Sequence, residues 1–173
     1  MISNHLEELI AEWYEYKGFF VRRNIKVGKR QQGGYECELD IVAFHPELKK
    51  IVHIESSLDA DSWARREERF QKKFEAGRRY IPQILKGLDL PNEIEQIAVL
   101  FFASKAHRKT LAGGKIMLVS DLLIEIVKGL AELKVSEQAV PEQFPLLRTI
   151  QFVTEYRDVI FSELNKTDKE RKI

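Results

Sequence analysis

The 173-residue chain contains one cysteine, Cys37, and this scarcity excludes several kinds of site. A single cysteine cannot form an intrachain disulfide or a cysteine-rich zinc site, and it is typical of a reducing compartment. No apolar run approaches the roughly 20 residues needed to cross a membrane. Met1 is followed by a polar segment and not by an apolar leader. We therefore expect a cytoplasmic protein with no membrane partner.

Nucleotide-binding and common nucleic-acid-binding motifs are also missing. Neither a G-x-G-x-x-G turn nor a P-loop follows a predicted strand, and Gly113-Gly114 is only a turn signal. Zinc-finger, helix-turn-helix and aromatic RNA-binding motifs are absent from the sequence as well. A nucleotide-binding α/β domain is therefore disfavoured, and any sequence readout has to come from loops or from a partner.

Charge is balanced over the whole chain but not along it. The 28 lysines and arginines face 27 acids, for a formal net charge of +1. Basic residues nevertheless occur without any acid from Tyr16 to Tyr35 and again from Ser104 to Ser120. Such stretches could hold a phosphate backbone beside an acidic pocket, and the alternative is an ordinary solvated surface.

The pattern of apolar residues and turn signals predicts one α/β domain over residues 1–164, followed by a charged, flexible tail over 165–173. The predicted fold is a mixed central sheet, with a three-stranded meander, flanked by helices. The predicted elements are a helix from Asn4 to Gly18, strands Phe19–Val27, Tyr35–Phe44 and Lys50–Ser57, a helix from an Asp59 or Asp61 cap to about Ile81, strands Ile97–Ala103 (buried on both faces) and Lys115–Val119, a helix from Ser120-Asp121 to about Leu133, and a last helix over Leu146–Phe161.

Two acids interrupt neighbouring apolar strands of the predicted meander. Asp40 lies in the second strand and Glu55 in the third. Since side chains alternate along a strand, Asp40 can lie beside Glu55 on one surface of the sheet, with His53 or Ser57 next to them. Adjacent carboxylates repel unless a cation lies between them, and Mg²⁺ prefers such oxygen ligands. The alternative is that both acids are structural. His53 contributes a hydrogen bond or a protonatable group, or it is simply a packed or surface histidine.

The order of these elements and acids resembles the PD-(D/E)xK nuclease superfamily, whose core is a helix, a three-stranded meander, a helix and a further strand. The resemblance spans Asn4 to Val119. Asp40 matches the first motif acid, although no proline precedes it, and Glu55-Ser56-Ser57 matches acid-x-lysine with Ser57 at the lysine position. Glu7 on the first helix, followed by Lys17-Gly18-Phe19 at the end of that helix, resembles archaeal Holliday-junction resolvases and related nucleases, in which a helix is followed by a Gly-Phe pair.

The resemblance implies a metal-dependent DNA endonuclease of the restriction or repair type. It implies that Mg²⁺ or Mn²⁺ is held by Asp40, Glu55 and the backbone carbonyl of Ser56. Glu7 would hold a second metal or orient a water, with Glu12 as the second choice, although Glu7 could instead be the capping partner of Asn4. A homodimer is plausible because cutting both strands of a duplex takes two active sites.

Ser57 cannot supply the positive charge of the motif lysine, although it can donate a hydrogen bond. A basic residue of the following helix could replace that lysine. Lys73 is favoured because it lies between Phe70 and Phe74, and the other basic candidates are Arg65, Arg66 and Lys72. Alternatively a metal-bound water suffices, or these basic residues form a solvated surface. A further alternative is a nuclease-fold protein that has lost catalysis and binds nucleic acid or acts in assembly.

Overall fold

The computed structural model describes residues 4–103 and 108–170, with the backbone alone from residue 167. In the predicted basic stretch, Lys105 and His107 lie outside the described residues. The chain divides into two compact units, one ending at Leu122 and one beginning at Leu123, and each is considered by itself. The prediction of one domain over residues 1–164 stays a prediction.

The N-terminal unit is built on a six-stranded mixed sheet, so the predicted α/β class is confirmed. Its spatial order is β1-β2-β3-β4-β6-β5. The first three strands form the predicted antiparallel meander, β3, β4 and β6 are parallel, and β5 pairs antiparallel with β6. The strands are β1 Phe20–Lys29, β2 Tyr35–His45, β3 Lys50–Ser57, β4 Ile94–Leu100, β5 Thr110–Leu111 and β6 Gly114–Leu118. The two-residue strand β5 was not predicted.

Helix α1 covers His5–Tyr16 and is capped as the sequence predicts. The Asn4 side chain accepts a 3.1 Å hydrogen bond from the Leu6 N–H and donates a 2.9 Å bond to Glu7 Oε1. The first bond satisfies one backbone N–H of the helix start, and the second holds the Asn4 side chain in place. Arg23 on β1 forms salt bridges with Glu8 and Glu15, which ties α1 to the edge of the sheet.

Helix α2 covers Trp63–Ile84, and its predicted cap is wrong. Ser62 caps the helix by accepting a 3.5 Å bond from the Arg65 N–H. Asp59 and Asp61 are instead paired with Arg69, at 2.7 and 3.2 Å. The sequence predicts an inner stripe of Trp63, Phe70, Phe74, Gly77 and Ile81 on this helix. The stripe is confirmed at Phe70, Phe74, Gly77 and Ile81, which are buried against the sheet, whereas Trp63 is half-buried. The apolar side chains of the sheet that pack with this stripe include Leu39, Val42, Phe44, Ile51, Ala98, Leu100 and Ile116.

The predicted buried strand Ile97–Ala103 is wrong at both ends. Strand β4 begins at Ile94 and ends at Leu100, and the chain then leaves the sheet. Phe101 and Phe102 consequently remain 51% and 57% exposed. A run of apolar residues predicts burial, but it does not predict the residue at which a strand stops pairing with the adjacent strands and ends.

Helix α3, Val119–Leu130, crosses the boundary between the units, and α4 (Pro145–Glu155) and α5 (Arg157–Glu170) follow in the C-terminal unit. The single last helix predicted over Leu146–Phe161 is therefore two helices, divided at Tyr156. The backbone of α5 stays helical to Glu170, beyond the boundary predicted at residue 164. Buried Gln151 accepts a bond from the Val140 N–H at 2.9 Å and donates to the carbonyls of Leu133 and Gln138, which fixes the loop before α4.

Gly77 sets how closely α2 approaches β3. A Cβ at this position would lie 2.2 Å from His53 Nδ1. We expect Gly77→Ala to lower the free energy of unfolding by about 1–3 kcal/mol, because overpacking outweighs the gain in helix propensity. Urea denaturation measures this loss. In a His53→Ala background the same substitution should cost less, and an equal loss in both backgrounds would contradict the close contact.

Candidate active site

The two predicted acids lie where β2 and β3 separate. The β2–β3 ladder ends at the Ile41–Ile54 pair, and one residue further Asp40 faces Glu55. The Asp40 N–H donates to Glu55 Oε1 at 3.1 Å, and the Ser56 N–H donates to Asp40 Oδ2 at 3.0 Å. The carboxylates thus accept the backbone hydrogen bonds that the diverging strands no longer make with each other. The structure brings the two acids together and fixes their orientation.

Lys73 is the basic residue that α2 contributes to this pair of acids. Its Nζ forms an ion pair with Asp40 Oδ1 and lies 2.5 Å from Glu55 Oε2. The other predicted candidates lie elsewhere. Arg65 and Lys72 are exposed, and buried Arg66 donates to the carbonyls of Asp59 and Phe102 at 2.9 and 2.5 Å. Of the four basic residues that the sequence offered, Lys73 is therefore the one whose ammonium group lies beside the two acids.

Burial and mutual repulsion shift the pKa values of this cluster. Burial, with the neighbouring Glu55 charge, raises the pKa of Asp40 to about 6, although Lys73 opposes the shift. Burial likewise raises the pKa of Glu55 against the opposing effect of Lys73. For Lys73, burial alone would lower the pKa, but the two carboxylates outweigh burial and raise it. Lys73 is thus a fixed cation at neutral pH and not a proton acceptor.

His53 orients Glu55 from beneath the site. Burial lowers the pKa of this fully buried histidine to about 3, so the ring is neutral. Its Nδ1 lies 3.1 Å from Gln96 Nε2, an amide donor, so Nε2 carries the proton and donates to Glu55 Oε1 at 2.7 Å. Gln96 is held in turn by the Phe74 carbonyl and Arg78. His53 is therefore packed and also hydrogen-bonded, as predicted, whereas the predictions of a surface histidine and of a protonatable group are wrong, because burial keeps the ring neutral.

Ser57 does not take the place of the motif lysine at the carboxylates. Its Oγ accepts hydrogen bonds from Arg69 Nη2 at 2.6 Å and from the Asp59 N–H at 3.2 Å. Arg69 lies one helical turn before Lys73, so the two cations share a face of α2. The sequence reasoning missed Arg69, although its i,i+4 spacing to Lys73 was a signal that could have indicated it. Ser57 therefore positions a second cation beside the acids.

Glu7 lies at the margin of the site and makes the predicted contact with Asn4, while its role toward a second metal or a water stays a prediction. Its Oε1 accepts the 2.9 Å bond from Asn4 and lies 3.5 Å from Ser56 Oγ. Burial, together with the Asp40 charge, raises the pKa of Glu7. Glu12, the second choice for the third acid, is buried on α1. Glu7 is therefore an acid of α1 that contacts the strand carrying Glu55.

The donor set fits a divalent cation that is shared with a substrate. Asp40 Oδ1 and Glu55 Oε2 contact the same nitrogen, so they lie at most about 5 Å apart, a gap that ligand distances of about 2.0–2.6 Å can bridge. Among the described residues, buried Glu55 Oε2 finds no hydrogen-bond partner beyond its ion pair. In an extended strand the N–H and C=O of one residue point to the same side, so the Ser56 carbonyl also faces Asp40.

Two observations restrict how such a cation would bind. Within residues 4–103 and 108–170, no group of three or more His, Cys, Asp or Glu side chains is arranged to hold a metal ion. Mg²⁺ sites that use two carboxylates and substrate phosphates do not need such a cage. The cavity lined by Glu55, Ser56, Arg69, Phe70 and Lys73 measures about 10 Å³, space for one water at most. A metal ion therefore requires Lys73 to move aside.

Comparisons with known proteins assign no family to this chain. A scan against models of protein families finds no match, and a search of curated proteins likewise finds none. The resemblance to the PD-(D/E)xK superfamily thus rests on the order of the elements and on the acids of this site. In the part of the chain that the structure describes, no helix is long and apolar enough to span a membrane.

The raised pKa of Asp40 predicts a specific pH dependence of stability. Folded Asp40 binds its proton more readily than an ordinary aspartate, whose pKa is 3.8. Its contribution to stability is therefore complete below pH 3.8 and is lost as the pH rises through about 6, by up to about 3 kcal/mol. Asp40→Asn carries no such charge, so its stability relative to the wild type should increase over this range.

Urea denaturation between pH 4 and pH 8 in EDTA measures this difference. Glu38→Gln, two residues away on β2, is the matched control and should follow the wild-type pH dependence. A stability advantage of the wild type that grows with pH would contradict the burial of an ionised Asp40.

Proposed function

We propose that the chain is a metal-dependent nuclease that hydrolyses DNA phosphodiester bonds, with a cation from α2 replacing the motif lysine of β3. The observation that supports this most directly is the contact of Lys73 Nζ with both Asp40 and Glu55. The resemblance left Ser57 where a lysine is expected, and Lys73 brings an ammonium to the carboxylates themselves. A cytoplasmic location and a homodimer remain parts of this proposal.

In this proposal Asp40, Glu55 and the Ser56 carbonyl hold Mg²⁺ or Mn²⁺. The bound metal supplies Lewis-acid polarisation of a phosphoryl oxygen and lowers the pKa of a coordinated water. His53 keeps Glu55 Oε1 occupied, so that Oε2 stays directed at the cation. Lys73 is protonated throughout, so it stabilises negative charge that develops on the phosphate and does not act as a base.

Lys73 changes partners when substrate and metal bind. Its side chain is 26% exposed and rotates about four bonds, so Nζ can leave the carboxylates for an incoming phosphate oxygen. The ionised carboxylates of Asp40 and Glu55 carry two negative charges, and the Lys73 ammonium neutralises one of them. The remaining negative charge repels DNA until a divalent cation binds. The proposal therefore requires metal and DNA to bind together at this site.

Basic side chains of the same unit could hold the phosphate backbone. Arg22 and Lys26 are exposed on β1, and Arg65 and Lys72 are exposed on α2. Arg23 is engaged by Glu8 and Glu15, so this member of the predicted basic stretch supports the fold. Contacts between basic side chains and phosphates do not depend on the DNA sequence, and they weaken as salt is added.

A second candidate is a nuclease-fold module that binds nucleic acid without cleaving it. The same ion pair favours this candidate, because carboxylates that Lys73 neutralises permanently cannot hold a metal. The two candidates differ in whether Lys73 can be displaced, which the following experiments test.

Substitution of the acids tests catalysis. We expect Asp40→Asn and Glu55→Gln each to lower cleavage of plasmid and branched DNA in Mg²⁺ or Mn²⁺ by at least about 100-fold, because each removes a metal ligand. Glu38→Gln should cleave like the wild type. Gel assays of initial rates measure the effect, and equal cleavage by the Asp40 variant would rule out the assigned acids.

Substitution of Lys73 separates metal binding from catalysis. Lys73→Ala removes the competing ammonium, so we expect Mn²⁺ to bind about 10-fold more tightly, equivalent to about 1.4 kcal/mol. Cleavage should nevertheless fall, because the cation that stabilises the phosphate charge is gone. Exposed Lys72→Ala, the neighbour on α2, should change neither quantity. Calorimetric titration with Mn²⁺ and cleavage assays measure both, and unchanged cleavage by Lys73→Ala would contradict its role.

A further inference from the structure

Two phenylalanines lie exposed and in contact just beyond the end of β4. Their ring centroids are 4.7 Å apart, with an interplanar angle of 74°. Phe101 is 51% exposed and Phe102 is 57% exposed. A single exposed apolar residue is common. Two exposed rings in contact at the C-terminal end of a central strand, however, form an apolar patch that does not pack into the core.

The patch is anchored beside the candidate active site. The Phe101 N–H donates to the Ser57 carbonyl at 3.0 Å. Ser57 follows Glu55 by two residues, a distance of about 7 Å along β3, and the neighbouring strand lies about 4.8 Å away. Buried Arg66 donates to the Phe102 carbonyl at 2.5 Å, so a side chain from α2 holds this backbone in place.

The surroundings of the rings favour a nucleic acid over a protein partner. Arg69 lies at the same end of β3, bound to Ser57 and paired with Asp59 and Asp61, and it can face a phosphate once it leaves these aspartates. A stable protein interface buries about 800 Å² on each partner, far more than two rings provide. Aromatic rings beside cations are the combination that binds single-stranded DNA, because every base has a flat face that can stack.

We propose that Phe101 and Phe102 form a stacking platform for an unpaired base of DNA next to the phosphate that is cleaved. The inference rests on the proposed nuclease function and gives its substrate class, which is DNA with a single-stranded segment or a branch. In a continuous duplex every base face is already covered by its neighbours, and uncovering one costs a few kcal/mol.

The test compares a double variant, Phe101→Ala with Phe102→Ala, with the wild type. The probes are a DNA duplex with a single-stranded extension, carrying 2-aminopurine at its first unpaired positions, and a continuous duplex of the same length. Binding is measured in Ca²⁺, so that it does not depend on cleavage. Phe20→Ala is the matched control, because Phe20 is an exposed phenylalanine, with 70% of its surface accessible, far from Ser57. Phe20 pairs with Phe44 on β2, and Phe44 pairs with Ile51, which lies at the opposite end of β3 from Ser57.

We expect the double variant to bind the extended probe about 5-fold to about 100-fold more weakly, as the loss of stacking on one base predicts. Its affinity for the continuous duplex should be unchanged, and the 2-aminopurine quenching seen with wild-type protein should disappear. Phe101→Tyr with Phe102→Tyr should restore both signals. Wild-type affinity of the alanine variant for both probes would overturn the platform.

The failure of this inference can be distinguished from the failure of the proposed function. If Asp40-dependent cleavage occurs and the alanine variant binds both probes like the wild type, the nuclease proposal stands and the platform is overturned. If no metal supports cleavage, but the alanine variant has a lower affinity for the extended probe and an unchanged affinity for the continuous duplex, the platform is supported as a DNA-binding feature. The proposed catalysis is then overturned.

Discussion

The contact of one ammonium group with two buried carboxylates is the interaction on which this site depends. Asp40 and Glu55 lie opposite each other where β2 and β3 separate, and each carboxylate accepts a backbone N–H of the other strand. Without a cation between them their repulsion would oppose this arrangement. Lys73 supplies that cation from α2, and the cluster still retains an excess of negative charge. The site is therefore stable without a metal and remains suited to bind one.

Helix α2 contributes three residues that shape this cluster. Gly77 allows the helix to approach His53, which holds Glu55 in place, and Arg69 and Lys73 direct two cations toward the end of β3. In the nuclease superfamily that the chain resembles, the corresponding lysine belongs to the strand. Lys73 of α2 instead supplies the charge here, from a side chain that is partly exposed.

The sequence predicted the parts of the molecule that follow from local patterns. The bounds of β3, the apolar stripe of α2 and the proximity of Asp40 to Glu55 are confirmed, since alternation and helical spacing determine which side chains share a face. Lys73 was favoured for a similar reason, its place between two buried phenylalanines. These signals need no knowledge of distant parts of the chain.

Features that depend on distant partners could not be predicted in this way. The Ser62 cap replaces the predicted aspartates because Arg69 engages both of them, ten and eight residues further along the chain. The exposure of Phe101 follows from the end of the β3–β4 ladder, which the apolar run does not reveal. Arg69 itself was missed because its role comes from contact with Ser57 across the fold.

The central claim is that the Asp40 and Glu55 oxygens exchange the Lys73 ammonium for a divalent ion. A crystal structure with Mn²⁺ and a DNA oligonucleotide, measured at the manganese absorption edge, tests it directly. The account predicts an anomalous peak about 2.0–2.6 Å from Asp40 Oδ1 and Glu55 Oε2, with Lys73 withdrawn toward the phosphate. Lys73 still in contact with both carboxylates, and no peak between them, would contradict it.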